Sequence, residues 1–401
     1  ILCLVAFYIL LLAGAGLYVN TKKESIRHRI ESELREKLHG NPVINDLDIS
    51  VWKYFPLIAL RVNDFTLSDS VYNRPILRAK MMSTTFSLIG LLLSGKTVDD
   101  IIIEDASFHL FTDSTGYSNK YLMNFKKKNT SPAQSSGIEI NEVKIKTLDV
   151  LIEDALKNKR ISMLINELDA SITQMGPVIQ IAMSEKISMK KGLGFKLEKG
   201  SYLEGQTVKG DWLLKLDKNT KNLSFEKTLV LINDHPFSLA GSFSFTSDPV
   251  FTLSFDTKKV SYSQVKAIVT ERIRQKISKV DLAGVLDAGG VIEGSLLPGM
   301  KPYVSLNWKT ANSTLKTHIA EFSGCNFSGN FMNRVNKDSV NDDANSRITI
   351  PVFTGNWGEI NLAGKDIVLT NLTSPFLQFN ISSECKLQSL DILFAMKGIS
   401  F

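Results

Sequence analysis

Histidines, cysteines and neighbouring carboxylates are the side chains that would carry metal, redox or acid–base chemistry, and here they are dispersed. His28, His39, His109, His235 and His318 form no HxH or HxxxH pair, and Cys3, Cys325 and Cys385 form no CxxC. Without ligand spacing, neither a structural nor a catalytic metal site is expected. Cys325 and Cys385 have two readings, a disulfide in an oxidising compartment or a pair of buried thiols. Asp99-Asp100 and Asp342-Asp343 set carboxylates side by side, but in loops or strand starts with no base beside them, the pattern of solvated charge. Gly192-Leu193-Gly194 lacks the following helix that a phosphate-cradling loop requires, so it reads as a turn. Walker A, dinucleotide-binding, GxSxG and HExxH patterns are missing. The expectation is a protein that is not an enzyme and takes no cofactor or metal. Six Asn-x-Ser/Thr triplets, at Asn129, Asn222, Asn312, Asn326, Asn371 and Asn380, arise readily in Ser/Thr/Asn-rich sequence and carry little weight.

The elements that would position these residues start with an apolar segment. Residues 1–19 hold no charge, and at about 1.5 Å per residue they reach roughly 28 Å, enough to cross a hydrocarbon core. They predict a transmembrane helix over residues 1–20, in a numbering that starts inside a longer segment because its first residue is not Met. The competing reading is a secretory signal, for which Ala13-Gly14-Ala15-Gly16 supplies small residues; Leu17-Tyr18-Val19 continues the apolar run and argues for an uncleaved anchor. Residues 21–40 predict an amphipathic helix with Ile26, Ile30, Leu34 and Leu38 on one stripe, stopped by Gly40-Asn41-Pro42. That helix has two placements, beside anionic headgroups at the membrane or packed on the first sheet.

From Ile44 onward the dominant period is two, the mark of antiparallel strands with one dry and one wet face. The clearest hairpin is Phe243 and Phe245, a turn at Asp248-Pro249, then Phe251, Leu253 and Phe255, with Ser and Thr between. Residues 148–168 read as a hairpin around Lys157-Asn158-Lys159 in preference to a helix. Residues 86–93 are a helical turn or a buried strand. Residues 261–280 predict one helix capped by Ser261, with Val265, Ile268, Val269, Ile273, Ile277 and Val280 on one face. Residues 126–137 predict a linker and residues 333–347 a mobile loop. Lys and Arg number 47 against 41 Asp and Glu, a net of +6 with no basic arm, so nucleic acid is not an expected partner.

Residues 48–119 resemble the N-terminal region of the AsmA family of bacterial envelope proteins. Trp52-Lys53-Tyr54-Phe55-Pro56, then residues 60–69 closing on Asp69, are similar to that family's opening hairpin. Leu91-Leu92-Leu93-Ser94-Gly95-Lys96 and residues 113–119 (DSTGYSN) are similar to the turns that follow it. Residues 290–299, with Lys301-Pro302, resemble a join between repeats in AsmA and TamB-like chains. The resemblance implies a single-pass inner-membrane anchor with its β-rich body in the periplasm. It also implies an elongated, curved antiparallel sheet related to chorein-type bridge-like lipid transfer proteins, forming a groove for phospholipid acyl chains in lipid transport and outer-membrane assembly. On this reading residues 41–125 are the AsmA-like region, and residues 138–401 a repeating β-groove that continues past Phe401.

A dry sheet face must be covered by a helix, a second sheet or a ligand, and few amphipathic helices are predicted. The candidate lipid-facing residues are Phe243, Phe245, Phe251, Leu253, Phe255, Val304, Leu306, Trp308, Ile348, Ile350, Leu377, Phe379 and Ile381, with Ser242, Ser244, Thr252 and Ser254 facing water. The alternative is a membrane-tethered scaffold that recruits envelope proteins by strand addition.

Overall fold

The computed structural model describes residues 22–36, 38–50, 57–87, 97–123, 139–297, 299–386 and 389. Strands hold 64% of the described residues and helix 12%, so the chain is mainly β. The predicted span 1–20, the linker 126–137 and residues 52–56 and 88–96 lie outside the described residues. Among the described residues, no helix is long and apolar enough to cross a membrane. The chain divides into two compact units, Ile1–Met175 with Gln180–Lys209, and Gly176–Ile179 with Gly210–Phe401.

In the first unit, helix α1 (residues 22–36) precedes β1 (Asn41–Ser50), β2 (Leu57–Ser68), β3 (Pro75–Ser87), β4 (Thr97–Thr112), β5 (Glu139–Asp154), β6 (Lys159–Met175) and most of β7 (Val178–Gly194). From β1 to β6 each strand pairs with the next, antiparallel except for the parallel pair β4–β5. A parallel pair needs a crossover of a dozen or more residues, which the segment between Thr112 and Glu139 provides. The hairpin between β5 and β6 turns at Asn158, whose φ of 50° suits an asparagine. Ile26, Ile30, Leu34 and Leu38 pack against a core of Ile44, Leu47, Phe65, Leu67, Ile76, Ala79, Ala106 and Leu122. Of the two placements open to this helix, packing on the sheet is the one observed. Glu31 Oε1 accepts from Ile44 N at 2.8 Å, and Lys23 pairs with Asp46 at 2.7 Å, fixing α1 against β1.

The sheet carries a crease within the first unit. Val62, Met82, Ile103, Ile145 and Leu168 form one cross-strand row, and Phe65, Ala79, Ala106, Leu148 and Ile165 form the next. In each strand two residues, rather than one, separate these rows. In β2, β4 and β5 one of the two is left-handed: Asp64 (φ 51°), Asp105 (φ 50°) and Thr147 (φ 62°). An extra residue per strand at a common level keeps the apolar side chains on one face while bending the strands.

The second unit holds most of β8 (Thr207–Asp217), then β9 (Asn222–Ile232), β10 (His235–Ser244), β11 (Val250–Ser261), helices α2 (Tyr262–Ile268) and α3 (Glu271–Ile277), β12 (Asp281–Ala283), β13 (Val285–Ser295), β14 (Tyr303–Lys316), β15 (Glu321–Met332), β16 (Arg347–Trp357), β17 (Ile360–Thr370) and β18 (Phe376–Glu384). From β9 to β18 the pairs are antiparallel, β13 lying between β11 and β14 and short β12 alongside β14.

Two expectations are corrected here. The single helix over 261–280 is two helices, because Val269 (ψ 163°) and Thr270 (ψ 157°) are extended. Adjacent β-branched residues tolerate that conformation well, and the Thr270 side chain accepts from Ile273 N to start the second helix. Ser261 caps the first as expected, in a reciprocal box with Gln264. The loop 333–347 is cross-linked rather than mobile. Asn336 N donates to Asn345 Oδ1 at 2.8 Å, and Asn345 Nδ2 donates to Asn336 O at 2.8 Å. Asp342 pairs with Lys301 at 3.1 Å, while Asp343 receives Lys276 and Arg272. Polar side chains in short loops satisfy the local backbone, so a low apolar content does not make a loop loose. The Asp342-Asp343 pair is partly solvent-exposed loop charge, as expected, and is ion-paired as well.

Candidate functional site

Strand pairing in the second unit assembles the predicted apolar residues into rows. Leu239, Phe255, Gly290, Leu306, Phe331, Ile348, Leu369 and Leu377 are successive cross-strand partners over eight strands. A second row runs Val260, Leu286, Thr310, Phe327, Phe353, Gly364 and Ile381. Shorter rows join Phe243 to Phe251, Leu253 to Ile292 and Val304, Ala288 to Trp308, and Ile350 to Ile367. No charged side chain occurs in any of these rows. One residue along, Ser238, Asp256, Gly289, Asn307, Asn330, Thr349, Val368 and Gln378 form a mostly polar row on the opposite face. Side chains alternate across a strand, so the register separates dry from wet.

Twelve of the thirteen candidates lie within the strands; Phe245 follows β10, where its N–H donates to Lys221 O at 2.9 Å. None of the thirteen is buried. Nine are half-buried, and Phe245, Leu377, Phe379 and Ile381 are each at least 51% exposed. The rings of Phe243 and Phe251 stack with centroids 6.1 Å apart. The predicted water-facing residues sit on the other face, Ser242 opposite Thr252, and Ser254 Oγ bonding Ala240 O.

Helix α2 covers part of the dry face. Tyr262, Val265 and Ile268 pack on a core of Phe237, Val260, Leu282 and Leu286, which Trp308 and Phe327 also join. Tyr262 Oη donates to Ile277 O at 2.8 Å; burial, and secondarily the charge of Asp281, push its pKa up to about 12. It therefore stays a neutral donor and holds α2 to the end of α3.

Sequence reasoning missed Leu239, Phe331, Phe353 and Leu369. Beside Leu239, Phe331 and Phe353 the signal was masked by Gly241, Gly329 and Gly355, since glycine reads as an interruption of a strand. Gly329 is one such position: a Cβ there would lie 2.4 Å from Trp308 Cζ2, so the ring lies flat on a bare backbone.

A dense polar cluster belongs to the first unit. Asp69, fully buried, accepts from Val71 N at 3.0 Å, Tyr72 N at 2.7 Å, Arg74 N at 2.7 Å and Tyr117 Oη at 2.8 Å. Asn119, also fully buried, accepts from Phe111 N and donates to His109 O, each at 2.9 Å. Burial alone would raise the Asp69 carboxyl, but these hydrogen bonds outweigh it and hold its pKa below the ordinary value. With its acceptor capacity used, Asp69 is a structural clasp between the β2–β3 turn and the turn after β4, not a proton carrier. Asp100 is likewise committed, accepting from the backbone and hydroxyl of Thr85.

Cys325 is buried and Cys385 half-buried, and they are not bonded to each other; burial pushes the Cys325 thiol pKa up. Among the described residues no group of His, Cys, Asp and Glu is placed to hold a metal ion. What the second unit offers chemically is a wide surface without charge, able to hold aliphatic chains by burial alone. No protein-family model and no curated protein matches this chain.

Proposed function

We propose that this is a membrane-anchored lipid-binding protein of the bacterial envelope, with residues 1–20 in the inner membrane and the β-rich body in the periplasm. The dry face of the second unit holds phospholipid acyl chains and conducts them along its rows, serving lipid transport and outer-membrane assembly. The observation that carries this is the uncharged row over eight strands, in which no residue beyond the glycine is fully buried. A sandwich core of that size would be sealed by a second layer, and an unpaired polar group within an acyl-chain surface would cost a few kcal/mol. The resemblance of residues 48–119 to AsmA chains supports the anchor and the compartment.

Phe245→Asp with Leu253→Asp tests the reading. Both side chains are at least partly exposed, so the double variant is expected to keep its melting temperature within a few degrees while photo-crosslinking to phospholipid falls several-fold. Unfolding of the variant would assign these residues to protein core, and unchanged crosslinking would remove them from the lipid path.

A second reading has its own observation. All nine residues of β18 are exposed, with Phe376, Leu377, Phe379 and Ile381 more than half so. That suits a scaffold to which another strand adds, and crosslinking of β18 to protein instead of lipid would favour it.

A further inference from the structure

A hollow of about 460 Å³ opens between the end of α3 and the β14–β15 turn, lined by Lys279, Val280, Thr317, His318, Ile319 and Phe322. Its floor belongs to the dry face, since the Phe322 ring lies 6.3 Å from Phe353 and 6.2 Å from Trp357, centroid to centroid. Its rim is polar and carries no carboxylate. From Arg272 onward four cations follow one another: Arg272 and Lys276 meet Asp343, and Arg274 meets Glu271. Lys279, the fourth, has no ion-pair or hydrogen-bond partner among the described residues, and neither does the His318 ring. The turn that carries His318 is fixed. Thr317 N donates to Ala320 O at 2.9 Å, and Thr317 Oγ1 accepts from Ala320 N at 3.0 Å. That leaves Ile319 72% exposed at the lip of the hollow.

We propose that this hollow is a headgroup site for an anionic lipid. The phosphate sits against the Lys279 ammonium and a ring N–H of His318, and the first methylenes of the chain lie on Ile319, Val280 and Phe322 before continuing onto the dry face. The inference rests on the acyl-chain reading of that face. Charge complementarity selects the occupant: a cation and a ring N–H, both exposed and without a partner among the described residues, stand beside an apolar floor and together match an amphiphile with an anionic head. The hollow is open and largely apolar, a form that holds part of a ligand without enclosing it.

The test uses the full chain with two probes of identical acyl chain, 1-oleoyl lysophosphatidate and 1-monoolein. The wild type is expected to bind the phosphate lipid more tightly. Lys279→Gln should weaken that binding about fivefold, the size of one partly exposed ion pair, leave monoolein unchanged, and preserve the melting temperature. His318→Gln should give a smaller loss of the same selectivity, and raising salt to about 0.5 M should narrow the preference. Equal binding of the two lipids by the wild type, or no effect of Lys279→Gln, overturns the headgroup site while leaving the face as a lipid surface. Competition by inorganic phosphate as effective as that by the lipid reassigns the hollow to a free anion and overturns the lipid. Binding of neither lipid overturns both this site and the reading it rests on.

Discussion

Four donors converge on the Asp69 carboxylate and use up its acceptor capacity. Asp69→Ala strands three backbone N–H groups and a phenol, and is expected to cost about 2–3 kcal/mol, read as a shifted denaturation midpoint with the β2–β3 turn exchanging its amides first. The sign with pH follows from the lowered pKa. The contribution is whole above the ordinary carboxylate range and drains away as acid takes the folded protein through the depressed value. Stability of this unit should therefore fall below about pH 4, and less steeply in Asp69→Asn. At Gly329 the demand is for emptiness. Gly329→Ala would set a methyl against the Trp308 ring, with an expected cost of about 1–3 kcal/mol and a change in tryptophan emission. Neither role is written locally: Asp69 reads as one more turn aspartate, and Gly329 as a break in a strand, until pairing brings the phenol and the indole to them.

Among elements, α2 depends on its cap. Ser261→Ala removes one side of the box with Gln264 and should cost about 1 kcal/mol, read from the amide protection of residues 262–268. That cap was legible, because a serine before an apolar-periodic run has a local meaning. The break after Ile268 was less so, since the apolar spacing of Val269 and Ile273 continues a helical face while the backbone between them is extended. Strands were legible wherever Phe, Leu and Ile alternate with Ser, Thr and Asn without interruption, as in β10 and β11. They were obscured where glycine occupies a dry position or where the phase slips by one residue. The loop 333–347 misled because composition records how polar a segment is and not where its hydrogen bonds go; Asn345 alone bonds the backbone of three residues, Asn336, Val340 and Val335.

Across the molecule the same plan serves each unit: an uncharged sheet face, partly roofed by one amphipathic helix, α1 in the first and α2 in the second. The class, mainly β with one dry face, followed from the period-two pattern, because alternation is a one-dimensional record of which side is wet. Membership of the rows did not, because it depends on register, which only strand pairing sets. The crease within the first unit bears on that register. In a strand of plain alternation, sliding by two residues restores every side chain to its own face, so mispaired sheets can persist as near-degenerate traps. A strand holding Asp64, Asp105 or Thr147 in a left-handed conformation has lost that translational symmetry. Any slip moves its kink away from its neighbours' kinks and turns half its apolar side chains to water. The crease thus acts as a vernier, a mark against which each strand is indexed as the sheet is laid down.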